Sequence, residues 1–356
     1  AGLRPPAEPA GRPGGRNPPS TISVSPPGMP RTPRRTAEQQ QIGEARARAR
    51  PHALGPPRTV RSPALKILLA NPRGFCAGVR MAIDVVDQVL DIFEGETVYV
   101  YHEIVHNKHV VGRFKDRGVV FVDDVEEVPE GALLVFSAHG VSPAVKAAAD
   151  ARNLRWIDAT CPLVSKVHAE ARSSARRGYQ ILLVGHADHQ EVIGTRGEAP
   201  DATQVVEKPE DIPNLVVHDP DRLIYLTQTT LSTDDAGVII RALKEAFPNI
   251  HEPPSEDICY ATTNRQSAVR QLAPMADLTL VVGSKNSSNS VRLTEISANA
   301  GTPGRLVDDV TDIDWSWFEG IETVLLTAGA SAPEDLVAGI CRAIVEKFDA
   351  ELMVAD

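Results

Sequence analysis

Long hydrophobic runs are missing from this chain of 356 residues. A membrane-spanning helix needs roughly 18 or more consecutive apolar residues. No stretch approaches that length, so we expect no membrane span. Cysteine is also scarce: the chain has four, and none forms the close Cys-x-x-Cys pair that is typical of structural zinc sites.

Three of the four cysteines lie far apart. Cys76, Cys161 and Cys259 are separated by 85 and 98 residues, which is not the pattern of a small disulfide-stabilised domain. We therefore expect reduced thiols in a cytoplasmic protein. Cys341 lies in an amphipathic helical pattern, which predicts a thiol in the apolar core.

The first 63 residues have a distinct composition. They contain 14 of the 28 prolines, 11 arginines and three acidic residues, with too few large apolar side chains to offset the entropy lost on folding. We expect residues 1–63 to be a disordered, dispensable extension, whose arginines leave organellar import open. The rest retains 26 of the 37 basic and 44 of the 47 acidic residues, a net charge of −18. This argues against nonspecific nucleic-acid binding.

From residue 64 onward, short apolar runs alternate with helical patterns, as in βα units with parallel sheets. The runs predict strands at 65–70, 97–101, 133–138, 181–185, 223–227, 278–283 and 323–328. A turn with a cysteine precedes a helical pattern three times. We predict an α/β fold of three related lobes, with mostly parallel sheets that meet at a centre.

Polar side chains directly follow the predicted strands. Ligands commonly bind beyond the carboxyl ends of parallel strands, and hydroxyl, amide and imidazole groups near helix N-termini can bind phosphate. The candidates for such binding are His106, His139, His189, Ser287, Ser288, Asn289 and Ser331.

Two further side chains are candidates for proton transfer. Glu191 follows His189 by two residues, and a closed pocket would raise its pKa toward that of a proton donor. Otherwise, it is a solvated loop carboxylate. Thr229 either relays protons or binds substrate, or it merely caps a strand.

The cysteines admit three kinds of chemistry. A helix N-terminus stabilises a thiolate, so three such thiols could bind zinc, act as separate nucleophiles, or hold three irons of a [4Fe–4S] cluster whose fourth iron lacks a protein ligand. The spacing favours the cluster over nucleophiles, and nucleophiles over zinc, without deciding among them.

A series of motifs resembles the 4-hydroxy-3-methylbut-2-enyl diphosphate reductase family, also called the LytB or IspH family. In order along residues 65–345 the motifs are ANPRGFCAGV, HEIVHN, SAHGVSP, DATCPLVSKVH, GHADHQEVIGTRGE, TQTTLS, DICYATTNRQ, VVGSKNSSNSVRL and TAGASAPE. The chain departs from the family at Gln190, where proline is frequent, and residues before 64 have no counterpart.

The resemblance implies three α/β lobes around one [4Fe–4S] cluster per chain, with one open iron. It assigns the cluster ligands to Cys76, Cys161 and Cys259, proton delivery to Glu191 and substrate contact to Thr229. It assigns diphosphate binding to His106, His139, His189, Ser287, Ser288, Asn289 and Ser331. We predict lobes at 78–160, 161–257 and 258–345, with 64–77 packing against the last lobe and 346–356 forming a tail.

The implied reaction is reductive removal of the allylic hydroxyl from (E)-4-hydroxy-3-methylbut-2-enyl diphosphate, the last step of the methylerythritol phosphate route. The products would be isopentenyl and dimethylallyl diphosphate. The expected partners are this small substrate and a one-electron donor protein of the ferredoxin or flavodoxin type. Two alternatives stay open: a [4Fe–4S] enzyme like quinolinate synthase, which acts on carboxylates, and an iron–sulfur redox sensor without catalysis.

Overall fold

The computed structural model describes residues 65–354, so the extension predicted for residues 1–63 lies outside the described residues. The strands are β1 (Lys66–Leu69), β2 (Val98–Tyr101), β3 (Val120–Val122), β4 (Leu133–Phe136), β5 (Arg155–Asp158), β6 (Gln180–Val184), β7 (Thr203–Val206), β8 (Leu223–Thr227), β9 (Leu278–Val282), β10 (Gly304–Val307), β11 (Thr323–Ala328) and β12 (Glu351–Val354).

Helices separate most of these strands. The α-helices are α1 (Ala77–Ile92), α2 (Lys108–Asp116), α3 (Pro143–Ala151), α4 (Pro162–Arg176), α5 (Gln190–Gly197), α6 (Thr233–Ala246), α7 (Tyr260–Leu272), α8 (Ser288–Asn299) and α9 (Glu334–Phe348). Short 3-10 helices cover Val125–Glu127, Pro209–Asn214, Pro220–Arg222, Ala273–Met275, Val310–Asp312 and Trp315–Phe318. None of the helices within residues 65–354 is long and apolar enough to cross a membrane.

The strands form three sheets. Their strand orders are β10-β9-β11-β1-β12, β3-β2-β4-β5 and β7-β6-β8, and every pairing between these described strands is parallel. The predicted α/β fold with parallel sheets is therefore confirmed. Each predicted strand matches an observed one, whereas β3, β5, β7, β10 and β12 had no counterpart in the prediction.

Alternation along the central strands gives each sheet two apolar faces. In β1, Ile67 and Leu69 pack in one buried cluster while Leu68 packs in another. In β4, Leu133 and Leu134 likewise pack in two different clusters. Because successive side chains of a strand point to opposite faces, helices cover both faces of each sheet, and ligands reach the strands only at their ends.

The two ends of the described chain lie side by side. Strand β1 pairs with β11 on one side and with β12 on the other. The segment predicted as a C-terminal tail thus contains the end of α9 and the edge strand β12, whose residues are exposed.

Helix α8 packs closely over the ends of β9 and β11. A Cβ atom built on Gly283 would lie 2.6 Å from the Cβ of Ser290, and one built on Gly329 would lie 3.0 Å from it, with the Ser290 hydroxyl closer still in both cases. Glycine at these strand ends therefore permits the N-terminus of α8 to approach the sheet.

Replacing Gly329 with alanine tests this close approach. The added methyl group crowds the Cβ of Ser290 as well as its hydroxyl. Because rotation of the Ser290 side chain does not move its Cβ, rotation alone cannot accommodate the methyl group. We expect Gly329→Ala to lower the free energy of unfolding by about 1–3 kcal/mol, as in other overpacked cores. Gly339→Ala, in α9 with open space around it, is the control and should raise stability by about 0.5–1 kcal/mol. Urea denaturation of both variants checks the prediction, and equal stabilities would contradict it.

Candidate active site

One cavity at the carboxyl ends of the strands contains every residue that the sequence analysis named for the site. The three sheets contribute to it together. Its lining includes Cys76, Cys161, Cys259, His106, His139, His189, Glu191, Thr229, Ser287, Ser288, Asn289 and Ser331. The chain therefore brings together groups that lie up to 255 residues apart in the sequence.

Each of the three cysteines is the residue that caps a helix N-terminus. Cys76 precedes α1, Cys161 precedes α4 and Cys259 precedes α7. The Sγ of Cys76 accepts a hydrogen bond from the Val79 N–H at 3.4 Å, and that of Cys259 accepts one from the Thr262 N–H at 3.3 Å. Backbone donors thus face these sulfur atoms, as expected for groups that become negative.

The first turns of α1 and α4 touch. A Cβ atom on Gly78 would lie 2.5 Å from the Sγ of Cys161, so only glycine leaves room for that sulfur beside α1. This contact brings Cys161 next to the helix that Cys76 caps.

At two of the cysteines, burial opposes the effect of the helix N-terminus on the thiol pKa. It is the largest influence on the thiol pKa of Cys161 and of Cys259 and raises both, while nearby backbone N–H groups offset part of the effect. The expectation of thiolates from the sequence depended on the helix N-terminus alone. The raised pKa values favour the protonated thiols, so binding of a metal to these two sulfur atoms would release their protons.

Three histidines, one from the end of each of β2, β4 and β6, form a cluster. The ring centroids of His106 and His139 are 4.1 Å apart and the rings stack, while His189 lies edge-on at 5.6 and 6.0 Å from them. The N–H of Glu191 donates to Nδ1 of His189 at 3.2 Å, so the proton of the neutral ring lies on Nε2.

Burial keeps two of these rings uncharged. It lowers the pKa of His189 to about 4, with repulsion from His106 adding to the effect. It also holds the pKa of His139 well below its usual range. The cavity therefore offers neutral hydrogen-bonding groups, and it contains no lysine or arginine among its described lining residues.

Another part of the cavity wall is the N-terminus of α8 with the loop after β11. Ser287 caps α8, and its hydroxyl accepts hydrogen bonds from Ser290 at 3.0 Å and Ser331 at 3.3 Å. The Asn289 side chain accepts from the Ala330 N–H at 2.8 Å through Oδ1, whereas its buried Nδ2 has no partner. Because an unsatisfied buried donor is costly, this amide is available to an acceptor in the cavity.

Glu191 is held by Thr229. Its two carboxylate oxygens accept from the N–H of Thr229 at 2.6 Å and from its hydroxyl at 2.9 Å. Glu191 is the second residue of α5, and only 2% of its surface is exposed. It is therefore a buried group on a helix, not the solvated loop carboxylate of the alternative interpretation.

Desolvation by burial raises the pKa of Glu191 to about 7, although both hydrogen bonds from Thr229 lower it. A carboxyl group with this pKa can hold a proton near neutral pH and release it to a stronger base.

Two side chains near the site were not predicted from the sequence. Glu103 accepts hydrogen bonds from Nδ1 of His106 at 3.1 Å and from Asn286 at 2.7 Å. Arg265 is buried on α7 with Nη2 directed at the carbonyl of Gly74. Both lie inside motifs of the resemblance, which could have identified them: Glu103 stands three residues before His106 in HEIVHN, and Arg265 stands six residues after Cys259 in DICYATTNRQ.

A family described as LytB protein matches residues 67–345. A 4-hydroxy-3-methylbut-2-enyl diphosphate reductase of Mycolicibacterium gilvum is 55% identical over 282 residues, which is 79% of this chain and 84% of the relative. The protein of the same name from Rhodopirellula baltica is 56% identical over 288 residues, 81% of this chain and 90% of the relative.

Solved structures agree with these relatives. The E-1-hydroxy-2-methyl-but-2-enyl-4-diphosphate reductase of Plasmodium falciparum has a TM-score of 0.80 and 41% identity, covering 83% of this chain and 92% of its own. A second structure has a TM-score of 0.58 and 32% identity, covering 80% and 99%. Its protein is described as (E)-4-hydroxy-3-methyl-but-2-enyl diphosphate reductase, the terminal enzyme of the non-mevalonate pathway.

The raised pKa of Glu191 predicts a pH-dependent stability cost. Because the folded state holds this proton up to about pH 7 and the unfolded state only to about 4.5, ionisation opposes folding progressively over that range. We expect Glu191→Gln to match the parent protein below pH 4.5 and to exceed it by up to about 3 kcal/mol above pH 7. Urea unfolding between pH 4.5 and 8, at matched metal content, measures this difference.

Glu94→Gln, at an exposed position of the chain, is the control and should show no such pH trend. A constant difference between Glu191→Gln and the parent protein across the pH range would contradict the prediction.

Proposed function

Because the chain belongs to the LytB protein family, we propose that it removes the allylic hydroxyl of (E)-4-hydroxy-3-methylbut-2-enyl diphosphate by reduction. It is an oxidoreductase of the non-mevalonate isoprenoid pathway. The substrate takes up two electrons and two protons and yields water with isopentenyl or dimethylallyl diphosphate. The observation that carries this proposal is the single cavity that collects thiols, histidines, hydroxyl and amide donors, and one protonatable carboxyl group.

The thiols suit an iron–sulfur cluster. Within residues 65–354 no three His, Cys, Asp or Glu side chains lie close enough to hold one metal ion, whereas the cysteines of a cluster each bind a different iron. Cys76, Cys161 and Cys259 would hold three irons of a [4Fe–4S] cluster. When bound, the cluster supplies electrons one at a time and an iron that can accept the substrate oxygen.

The remaining wall suits a diphosphate. Helix N-termini bind phosphate through free N–H groups, and α8 begins at the cavity with Ser287 and the unpartnered amide of Asn289. The cluster of His106, His139 and His189 faces the same cavity. Since burial disfavours the cationic forms of His139 and His189, an incoming dianion should draw protons onto these two rings, so binding of the substrate and proton uptake are coupled.

Glu191 is positioned to supply protons. Near pH 7 it is partly protonated, and the hydroxyl of Thr229 contacts one of its oxygens, so a proton can move from the carboxyl group toward the cavity through that hydroxyl. Closure of the cavity around Glu191 keeps bulk water from competing for this proton.

The electrons require a separate donor. Because the cluster accepts one electron at a time, a one-electron carrier of the ferredoxin or flavodoxin type is the proposed partner. A cytoplasmic location stays a prediction.

Serine in place of Cys161 tests the ligand assignment. A hydroxyl is a far weaker iron ligand than a thiolate, so we expect Cys161→Ser to lose most of its iron and sulfide and the visible absorption of the cluster. Cys341→Ser, on α9 outside the cavity, should retain both. Iron and sulfide assays after anaerobic reconstitution distinguish the two, and an intact cluster in Cys161→Ser would refute its role as a ligand.

Turnover tests the function itself. With a chemical one-electron reductant, the parent protein should convert the hydroxylated allylic diphosphate into the two isomeric products. Glu191→Gln should keep its cluster and bind substrate but lose at least about 100-fold in kcat, the range attributed to general acid catalysis. Glu94→Gln should turn over normally.

The alternatives predict different results. A redox sensor would bind no allylic diphosphate, and an enzyme acting on carboxylates would leave this substrate unchanged. Anaerobic Mössbauer spectra with and without substrate show whether one iron responds to it. Near-normal turnover by Glu191→Gln would remove this residue from the proton path.

A further inference from the structure

Arg265 is a buried cation that joins two of the cysteine segments. It lies on α7, the helix that Cys259 caps, and 4% of its surface is exposed. Nη1 donates to the carbonyl of Ala261 at 2.8 Å, and Nη2 donates to the carbonyl of Gly74, two residues before Cys76. The guanidinium therefore connects the Cys259 helix with the Cys76 loop.

The charge of Arg265 has no carboxylate partner. Among residues 65–354 no Asp or Glu lies within ion-pair distance of it, and its buried Nε has no hydrogen-bond acceptor. On the same helix, Arg270 is partly exposed and pairs with Asp234 at 2.8 Å. Since burying an uncompensated charge costs several kcal/mol, a folded chain with Arg265 at this position requires negative charge from another source.

The negative groups that act on Arg265 are mainly those of the cysteine sites. Burial lowers the pKa of the guanidinium, and the charges of Cys76 and Cys259, followed by Tyr260, oppose this effect. No carboxylate is among these groups. The electrostatic partner of Arg265 is therefore the group that the thiolates of Cys76 and Cys259 bind.

We propose that Arg265 is a positioning residue that sets the reduction potential of the iron–sulfur cluster. This inference rests on the proposed function. A cluster gains one negative charge on reduction, and a fixed buried cation beside two of its ligands stabilises the reduced state more than the oxidised state. Because water is excluded, the interaction is poorly screened. Arg265 thereby raises the potential and eases the first electron transfer from the donor.

The test is a redox titration of the reconstituted protein, followed by EPR, in the parent chain, Arg265→Gln and the control Arg270→Gln. We expect Arg265→Gln to make cluster reduction at least tenfold less favourable, a shift of 59 mV or more toward negative potential for a one-electron couple. Arg270→Gln removes the same charge from the same helix at a solvent-screened position, so its potential should match that of the parent.

An unchanged potential in Arg265→Gln overturns the proposal. If that variant fails to assemble a cluster, Arg265→Lys decides, because it keeps the charge but loses the planar fork that reaches two carbonyls. A cluster in Arg265→Lys with a potential near that of the parent supports the electrostatic role. Loss of the cluster in both variants overturns it in favour of a purely structural bridge.

Failure of the proposed function gives a different result. If the chain holds no cluster, the parent protein and Arg270→Gln also form none. If it holds a cluster but is a redox sensor or acts on carboxylates, the potential of Arg265→Gln still shifts while the parent protein leaves the allylic diphosphate unconverted. The potential of Arg265→Gln is therefore interpreted only if the parent protein holds a cluster.

Discussion

The convergence of three helix N-termini on one cavity is the constraint from which the rest of the site follows. All strands run parallel within their sheets, so the chain leaves each sheet at the same edge and turns there into a helix. Cys76, Cys161 and Cys259 occupy the turns that begin α1, α4 and α7. The backbone donors of these turns are fixed by the helices themselves, so the sulfur positions do not depend on flexible loops.

Exclusion of water then determines the charge of the cavity. Burial raises the pKa of the Cys161 and Cys259 thiols and of Glu191, and it lowers the pKa of His139 and His189. Each of these shifts favours the neutral form of the group. A ligand that brings charge into the cavity therefore changes the pKa of the titratable groups near it. The buried cation of Arg265, which is not among the lining residues of the cavity, carries its charge permanently.

The sequence predicted the central strands of the three sheets but not most of their edge strands. β1, β2, β4, β6, β9 and β11 lie inside their sheets and have continuous apolar runs, as does the buried edge strand β8. The missed strands β3, β5, β7, β10 and β12 are edges. β5, β7 and β10 mix apolar with polar residues, β3 has only three residues, and β12 is exposed throughout. The site residues were identifiable because motifs mark them. Arg265 also lies in a motif, DICYATTNRQ, but its contact could not be predicted, since its partner Gly74 lies 191 residues away and only the fold brings the two together.

Gln190 shows why a departure from the family pattern can leave a site intact. This residue is the first of α5, between the capping residue His189 and Glu191. The N–H of the first helical residue has no partner within the helix, and that of Gln190 makes no hydrogen bond among the described residues. Proline is favoured at this position because it loses no hydrogen bond there. Glutamine and proline therefore both allow α5 to begin at the same place, and the helix start, with the two hydrogen bonds from Thr229, fixes the carboxyl group of Glu191.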